Sequence, residues 1–301
     1  RAFTGWRVVN PDYMSIRMRN NTSRPYGYMS WQFEYDSEDH DDAEKTILGQ
    51  TGNWNGEDAV RIICEQEATA RFVARHLYHF FVADELPVPQ WPHEPPRDPA
   101  AIDLLTKEYF DSGHSIKAML KVLFKSDFFK DESSRYARIK SPAEMVIGTM
   151  RLAGPVTLPS TDIFAADAAC ANMGQALMRP PSVEGWQGGV DWINTGAYVE
   201  RVNFASKILN DPDKTGVRDI IDRIKLLSPD RQLITSDDLV DECLDVLGPL
   251  DVLESTRNGL KKYALKYSNL SWADSYASSN FDRAAITIIQ LIVSSQEYQT
   301  I

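Results

Sequence analysis

The sequence predicts a mostly α fold, a multi-helical orthogonal bundle with a short extended or strand-containing region at its start. Three observations predict it. Apolar residues recur at helical spacing from residue 57 onward, as in Ile102, Leu105, Tyr109 and Phe110. Helix starts are spelled out, as at Asp98-Pro99 and Ser141-Pro-Ala-Glu144. The first 56 residues instead alternate loosely and are rich in aromatics, the pattern of short strands. Helix is expected to exceed half of the chain, with strands confined to the first 60 residues.

In chain order, Val8-Val9, Ser15–Met18 and Met29–Tyr35 are the strand candidates, with a turn at Asn20-Asn21. Gly49 to Gly56 is a loop. A helix follows from Glu57, with Val60, Ile63 and Cys64 on its apolar face, and breaks near Glu67. Phe72, Leu77, Phe80 and Phe81 continue the pattern. The proline-rich run from Pro87 to Pro99 ends it, because proline lacks the N–H that a helix interior needs. Asp98 then caps a helix with Pro99 at its first position and Gly113 at its end. Ser115 caps the next, with Ile116, Met119, Leu120, Leu123 and Phe124 inward. Ser141 and Glu144 form a capping box ahead of Met145, Val146, Thr149 and Leu152. The Ala-rich stretch 162–178 reads as helix, and Asn194 or Thr195 starts another through Leu209. Helices near 217–227, 236–247, 251–267 and 280–297 complete the chain. The expected organisation is an extended region over 1–56, a helical core over 57–210 and a C-terminal helical subdomain over 211–301.

Composition excludes several classes. The net charge of −11 repels phosphate backbones, so no nucleic-acid partner is expected. The longest apolar stretch, Ala285 to Val293, falls far short of the ~20 residues of a membrane span. Cys64, Cys170 and Cys243 lie far apart without a CxxC, which excludes zinc-ribbon and thioredoxin-like readings. No phosphate loop, dinucleotide fingerprint or nucleophile elbow is present.

Three segments carry candidate chemistry. The run Asp36-Ser-Glu-Asp-His-Asp-Asp-Ala-Glu44 is dense in oxygen ligands. Asp36, Asp39, Asp41 and Asp42 are candidates for a hard cation such as calcium, although the EF-hand spacing is absent. His40 with Asp41 is a candidate proton-transfer pair, since imidazole titrates near neutrality and a carboxylate sets its tautomer. The competing reading is a solvated acidic loop. His76 and His79 share a helix face, but two histidines leave a zinc site incomplete. The third segment is the loop from Arg179 to Thr195, with two prolines, three glycines and two tryptophans. Trp186, Gln187, Trp192 and Asn194 are candidate binding residues there, and Glu184 and Asp191 a candidate carboxylate pair of the glycosidase kind. The competing reading is a structural loop whose tryptophans plug gaps between helices. Trp186 is expected to be the buried ring and Trp192 the exposed one.

A set of motifs spans nearly the whole chain: Arg1-Ala-Phe-Thr-Gly-Trp6, His40-Asp41 with Lys45, Thr69-Ala-Arg-Phe-Val-Ala-Arg-His-Leu77, Lys140-Ser-Pro-Ala-Glu-Met-Val146, Gly174 to Trp186, Trp192-Ile-Asn-Thr195 and Ser294-Ser-Gln-Glu-Tyr298. In order and spacing they resemble the domain-of-unknown-function 1800 family, with this chain similar to its C-terminal portion. The resemblance implies a bacterial, exported protein, periplasmic or extracellular. It also implies a neighbour of the domain-of-unknown-function 1501 family, itself similar to sulfatases and alkaline phosphatases. It implies no activity. The leading expectation is a non-catalytic helical protein without a cofactor that binds that hydrolase-like partner, a glycan or another surface polymer. One alternative is a hydrolase acting on extracellular polymer through the His40/Asp41 segment and the Trp186 loop. Another is a calcium-stabilised structural module.

Overall fold

A computed structural model of the chain describes residues 1–9, 31–186, 188–227, 233–248, 250–267 and 270–301. Helix makes up 58% of it, as the capping and periodicity signals require. The chain divides into two compact units. Among the described residues no helix is long and apolar enough to cross a membrane.

The first unit comprises Arg1–Tyr78 and Asp98–Lys125. Strands β1 (Trp6–Val9) and β2 (Gln32–Tyr35) pair antiparallel, Trp6 opposite Tyr35. A hairpin follows, β3 (Lys45–Ile47) with β4 (Gln50–Gly52), turned by Leu48 and Gly49, both at positive φ. The strand candidate Ser15–Met18 and the Asn20-Asn21 turn lie outside the described residues. Helix α1 (Gly56–Cys64) starts at Asn55, which forms a capping box with Asp58. Helix α2 (Glu67–Phe81) begins in this unit. Helix α3 (Pro99–Asp111) starts where expected, with Asp98 accepting the Ala101 N–H at 3.0 Å. Helix α4 (Ile116–Lys125) buries Met119 and Leu123.

The inward faces differ from the expected ones. In α1, Ala59 and Ile62 are buried while Val60 and Ile63 are exposed. In α2, Ala70 and Ala74 are buried while Phe72 and Phe80 are exposed. Small alanines let neighbouring backbone come close, and scoring the large apolar residues alone misplaces the stripe by one position.

The second unit comprises His79–Arg97 and Ser126–Ile301. After the short α5 (Asp127–Lys130) come α6 (Pro142–Ala153), α7 (Thr161–Asn172), α8 (Thr195–Ile208), α9 (Thr215–Leu227), α10 (Ser236–Val246), α11 (Glu254–Ala264) and α12 (Ser275–Val293). Its main core gathers around α12, where Phe281, Ala285, Ile288 and Ile292 meet Ile221, Leu239, Cys243 and Leu260. A smaller cluster joins Val146, Ala166, Ala169, Cys170 and Met173. Gly216 lets α9 start against the end of α6, since a Cβ there would lie 2.2 Å from the Leu152 carbonyl oxygen. Strands are not confined to the first 60 residues, because Leu233–Ile234 (β5) pairs with Leu270–Ser271 (β6). A two-residue strand carries too little alternation to be legible in sequence. Helix α12 also starts earlier than expected, at Asp274, which caps the Ala277 N–H at 2.8 Å. Its serine-rich first turns hide the apolar period.

Candidate functional site

The most chemically suggestive place in the second unit is a notch at the end of α2. His79 occupies the last helical turn, and the chain leaves the helix to reach Asp84. The Glu85 N–H donates to His79 Nδ1 at 2.9 Å. A neutral ring must then carry its proton on Nε2. Asp84 Oδ2 accepts the Ile139 N–H at 2.8 Å, and the Asp84 N–H donates to the Ala137 carbonyl at 3.0 Å. His79 Nδ1 and Asp84 Oδ1 are 3.9 Å apart, too far for a hydrogen bond. The glycine pair of the tryptophan loop closes over both groups. A Cβ on Gly188 would sit 3.7 Å from His79 Nε2, and one on Gly189 3.5 Å from the Asp84 carboxyl. Burial lowers the His79 pKa, with Asp84 opposing and Arg138 assisting. Burial raises the Asp84 pKa against the Ile139 N–H, which favours the ion.

Beside the notch runs a buried polar network. The backbone of 299–301 pairs with that of 138–140 through Lys140 N–H to Gln299 O, 2.9 Å, and Ile301 N–H to Arg138 O, 2.8 Å. Arg138 donates to Glu144 at 2.7 Å and lies over the Phe80 ring. Lys140 Nζ donates to the Tyr298 carbonyl at 2.6 Å and rests on the Tyr298 ring. Arg201 is fully buried, with Nη2 donating to the Lys140 carbonyl at 2.7 Å. Burial lowers the Lys140 pKa to about 8, with Glu144 opposing and Arg201 assisting. Burial lowers Arg201 to about 10.

The Lys140 shift has a testable sign. Between pH 8 and the ordinary lysine value of 10.5, the unfolded chain holds a proton that the folded chain has released. Stability then rises with pH. Denaturation curves should therefore show the native chain gaining stability across that window relative to Lys140→Met. Parallel pH profiles for the two proteins would refute this.

The tryptophans have exchanged their expected roles. Trp192 is the buried ring, 7% exposed, and lies over Gly174. Trp186 is half-buried and donates Nε1–H to the Ala176 carbonyl at 3.2 Å. The reason lies in local geometry: the 3₁₀ turn Gly189–Ile193 points Trp192 inward just before α8. Asn194 is the cap of α8, accepting the Ala197 N–H at 3.0 Å. Glu184 and Asp191 are exposed, and neither makes an ion pair among the described residues. Gln187 lies outside the described residues. Facing outward are Met178, 92% exposed and just ahead of this loop, and on the loop Val190, 75% exposed, and Val183, fully exposed.

The acidic segment belongs to the first unit. His40 Nδ1 meets the Thr4 carbonyl at 2.9 Å, as a donor, and its ring leans on Tyr35. Asp41 pairs with Arg1 at 2.5 Å and accepts the Ala43 N–H. The hydrogen bond from Arg1 holds the Asp41 carboxyl below the usual carboxylate range. Lys45 Nζ donates to the Asp41 carbonyl. Asp36 pairs with Arg7 and accepts the Glu38 N–H. Asp39 and Asp42 flank these pairs. Among the described residues no group of three or more His, Cys, Asp or Glu side chains is arranged to hold a metal.

Sequence reasoning weighed His79 only as a partner of His76, whose ring packs against Phe72. It passed over Asp84 and Arg201, and weighed Arg138 only as part of a small basic patch with Arg135 and Lys140. For Arg201 a signal existed: Ala197, Arg201, Ala205 and Ile208 share one face of α8, so the arginine sits in the apolar stripe. For Asp84 none did.

A family model described as protein of unknown function (DUF1800) matches residues 1–300. No curated protein and no solved structure matches the chain. Three of the later motifs, Lys140–Val146, Gly174–Trp186 and Ser294–Tyr298, meet in the second unit's network, with Tyr198 of α8 beside them. Ala143 N–H donates to the Gln175 side chain at 2.8 Å, Tyr198 hydroxyl to the Ser294 carbonyl at 3.0 Å, and Lys140 to Tyr298.

Proposed function

The chain belongs to the DUF1800 family, and from that membership we propose that it is an exported, non-catalytic binding module whose 176–191 loop docks a partner protein. One observation carries the reading: the loop is braced on its inner side and apolar on its outer side. Trp186 is tied to Ala176, Trp192 is buried, and Gly189 sits against Asp84. Met178, Val183 and Val190 meanwhile stand in solvent. A braced backbone loses little entropy on binding, and exposed apolar side chains gain from burial. The catalytic alternative is less favoured because His40 and Asp41 are engaged with Thr4 and Arg1.

The partner we propose is the hydrolase-like protein of the domain-of-unknown-function 1501 family. Calorimetric titration with that protein should give saturable heat. Met178→Asp combined with Val183→Asp should weaken binding by about tenfold or more, since burying a charge without a partner is costly. Both positions are exposed, so the melting curve should stay within about 1 kcal/mol of the native chain. Absence of saturable heat, or undiminished binding by the double variant, would overturn the proposal.

A further inference from the structure

We propose that a second site, a groove along α12, binds a carboxylate-bearing carbohydrate chain of the oligouronate class. The groove encloses about 640 Å³ in the second unit, between α12 and the stretch from Asn210 to Arg218. That is within the range of small-ligand sites, roughly 300–1,000 Å³. On α12 Ser275, Ser279, Arg283 and Thr287 repeat every four residues along its wall, beside the apolar Ile286. Such spacing places them on one helix face. Phe281, Ala285, Ile288 and Ile292 on other faces fill the core. A merely solvated helix face would have no opposing wall; this one faces Asn210, Pro212 and Arg218.

The hydrogen-bonding groups in the groove are set in advance. Both oxygens of Asp282 are taken, one by Arg218 at 2.6 Å and one by Lys225 at 2.8 Å. That carboxylate is neutralised internally. Lys225 also donates to Ser278 Oγ at 3.1 Å, which leaves the Ser278 hydroxyl proton to donate. Gln290 Nε2 donates to the Ser206 carbonyl at 2.8 Å and to Asn210 Oδ1 at 3.3 Å. The Gln290 oxygen and the Asn210 amide nitrogen then remain as an acceptor and a donor side by side. A pair of neighbouring sugar hydroxyls presents the matching donor and acceptor.

Charge selects among carbohydrates. Arg283 lines the groove, is exposed and makes no ion pair among the described residues. A guanidinium pairs with a carboxylate through two parallel hydrogen bonds, and an uncharged sugar offers it nothing comparable.

The test is calorimetric titration of the full chain with a galacturonic acid tetramer, an uncharged galactose tetramer and inorganic phosphate. The acidic tetramer should bind saturably and about tenfold or more tighter than the uncharged one. Arg283→Gln should abolish that preference while leaving the melting curve unchanged. The Met178→Asp and Val183→Asp changes in the loop should leave it intact, so failure of the loop reading and failure of this one are distinguishable. Equal affinity for the two tetramers, an Arg283→Gln chain that still prefers the acidic one, phosphate that binds as tightly, or no saturable binding would each overturn the assignment.

Discussion

Trp192→Ala should lower the stability of the folded chain by about 3–5 kcal/mol, the range of large aromatic deletions in cores. Trp192 is buried, packs on Gly174 and occupies the turn that leads into α8. Glycine has no side chain to move into the void, so the cavity term adds to the lost transfer energy. Trp186→Ala should cost only about 1–2 kcal/mol, because the ring is half-buried and makes one hydrogen bond to a carbonyl. Urea denaturation of the two variants checks both values. A neutral Trp192→Ala beside a strongly destabilised Trp186→Ala would mean that the loop is held by the other ring.

Arg201→Ala should be comparably damaging, about 3–5 kcal/mol. The guanidinium is fully buried and bridges the Lys140 carbonyl, at 2.7 Å, and the Gln299 side chain, at 3.4 Å. Its removal leaves two acceptors without a donor and a cavity between α8 and the 138–140 segment. Arg201→Lys should recover little, because a single ammonium cannot span both acceptors as the planar fork does. Arg201→Met separates volume from charge. It fills the space and removes a buried cation whose pKa burial has already lowered to about 10. It should therefore fall between the native chain and Arg201→Ala. Native-like stability of Arg201→Met in the same denaturation series would show that packing alone holds this junction.

These two residues also mark how much was legible in advance. The caps at Asp98 and Ser141 form as their sequence motifs require, since each cap bond joins residues three positions apart. The family, too, was readable from short motifs in fixed order, and the match over residues 1–300 bears it out. Trp192 was misjudged because the two tryptophans sit in similar glycine-rich surroundings. Which one turns inward depends on the 3₁₀ turn and on where Gly174 lies.

By itself the sequence determined the helical class, most helix starts and the family. It determined the first two through signals that act within about one helical turn, where hydrogen bonds and side-chain spacing are local, and the family through the order of short motifs along the chain. The tertiary structure alone decided which polar groups meet. Lys140 reaches Tyr298 across 158 positions, Arg201 reaches Gln299 across 98, and Asp84 reaches Ile139 across 55. No periodicity encodes such pairings. They exist because helices meeting around a core leave buried backbone and side-chain groups that must find partners, and folding brings those partners from wherever in the chain they lie.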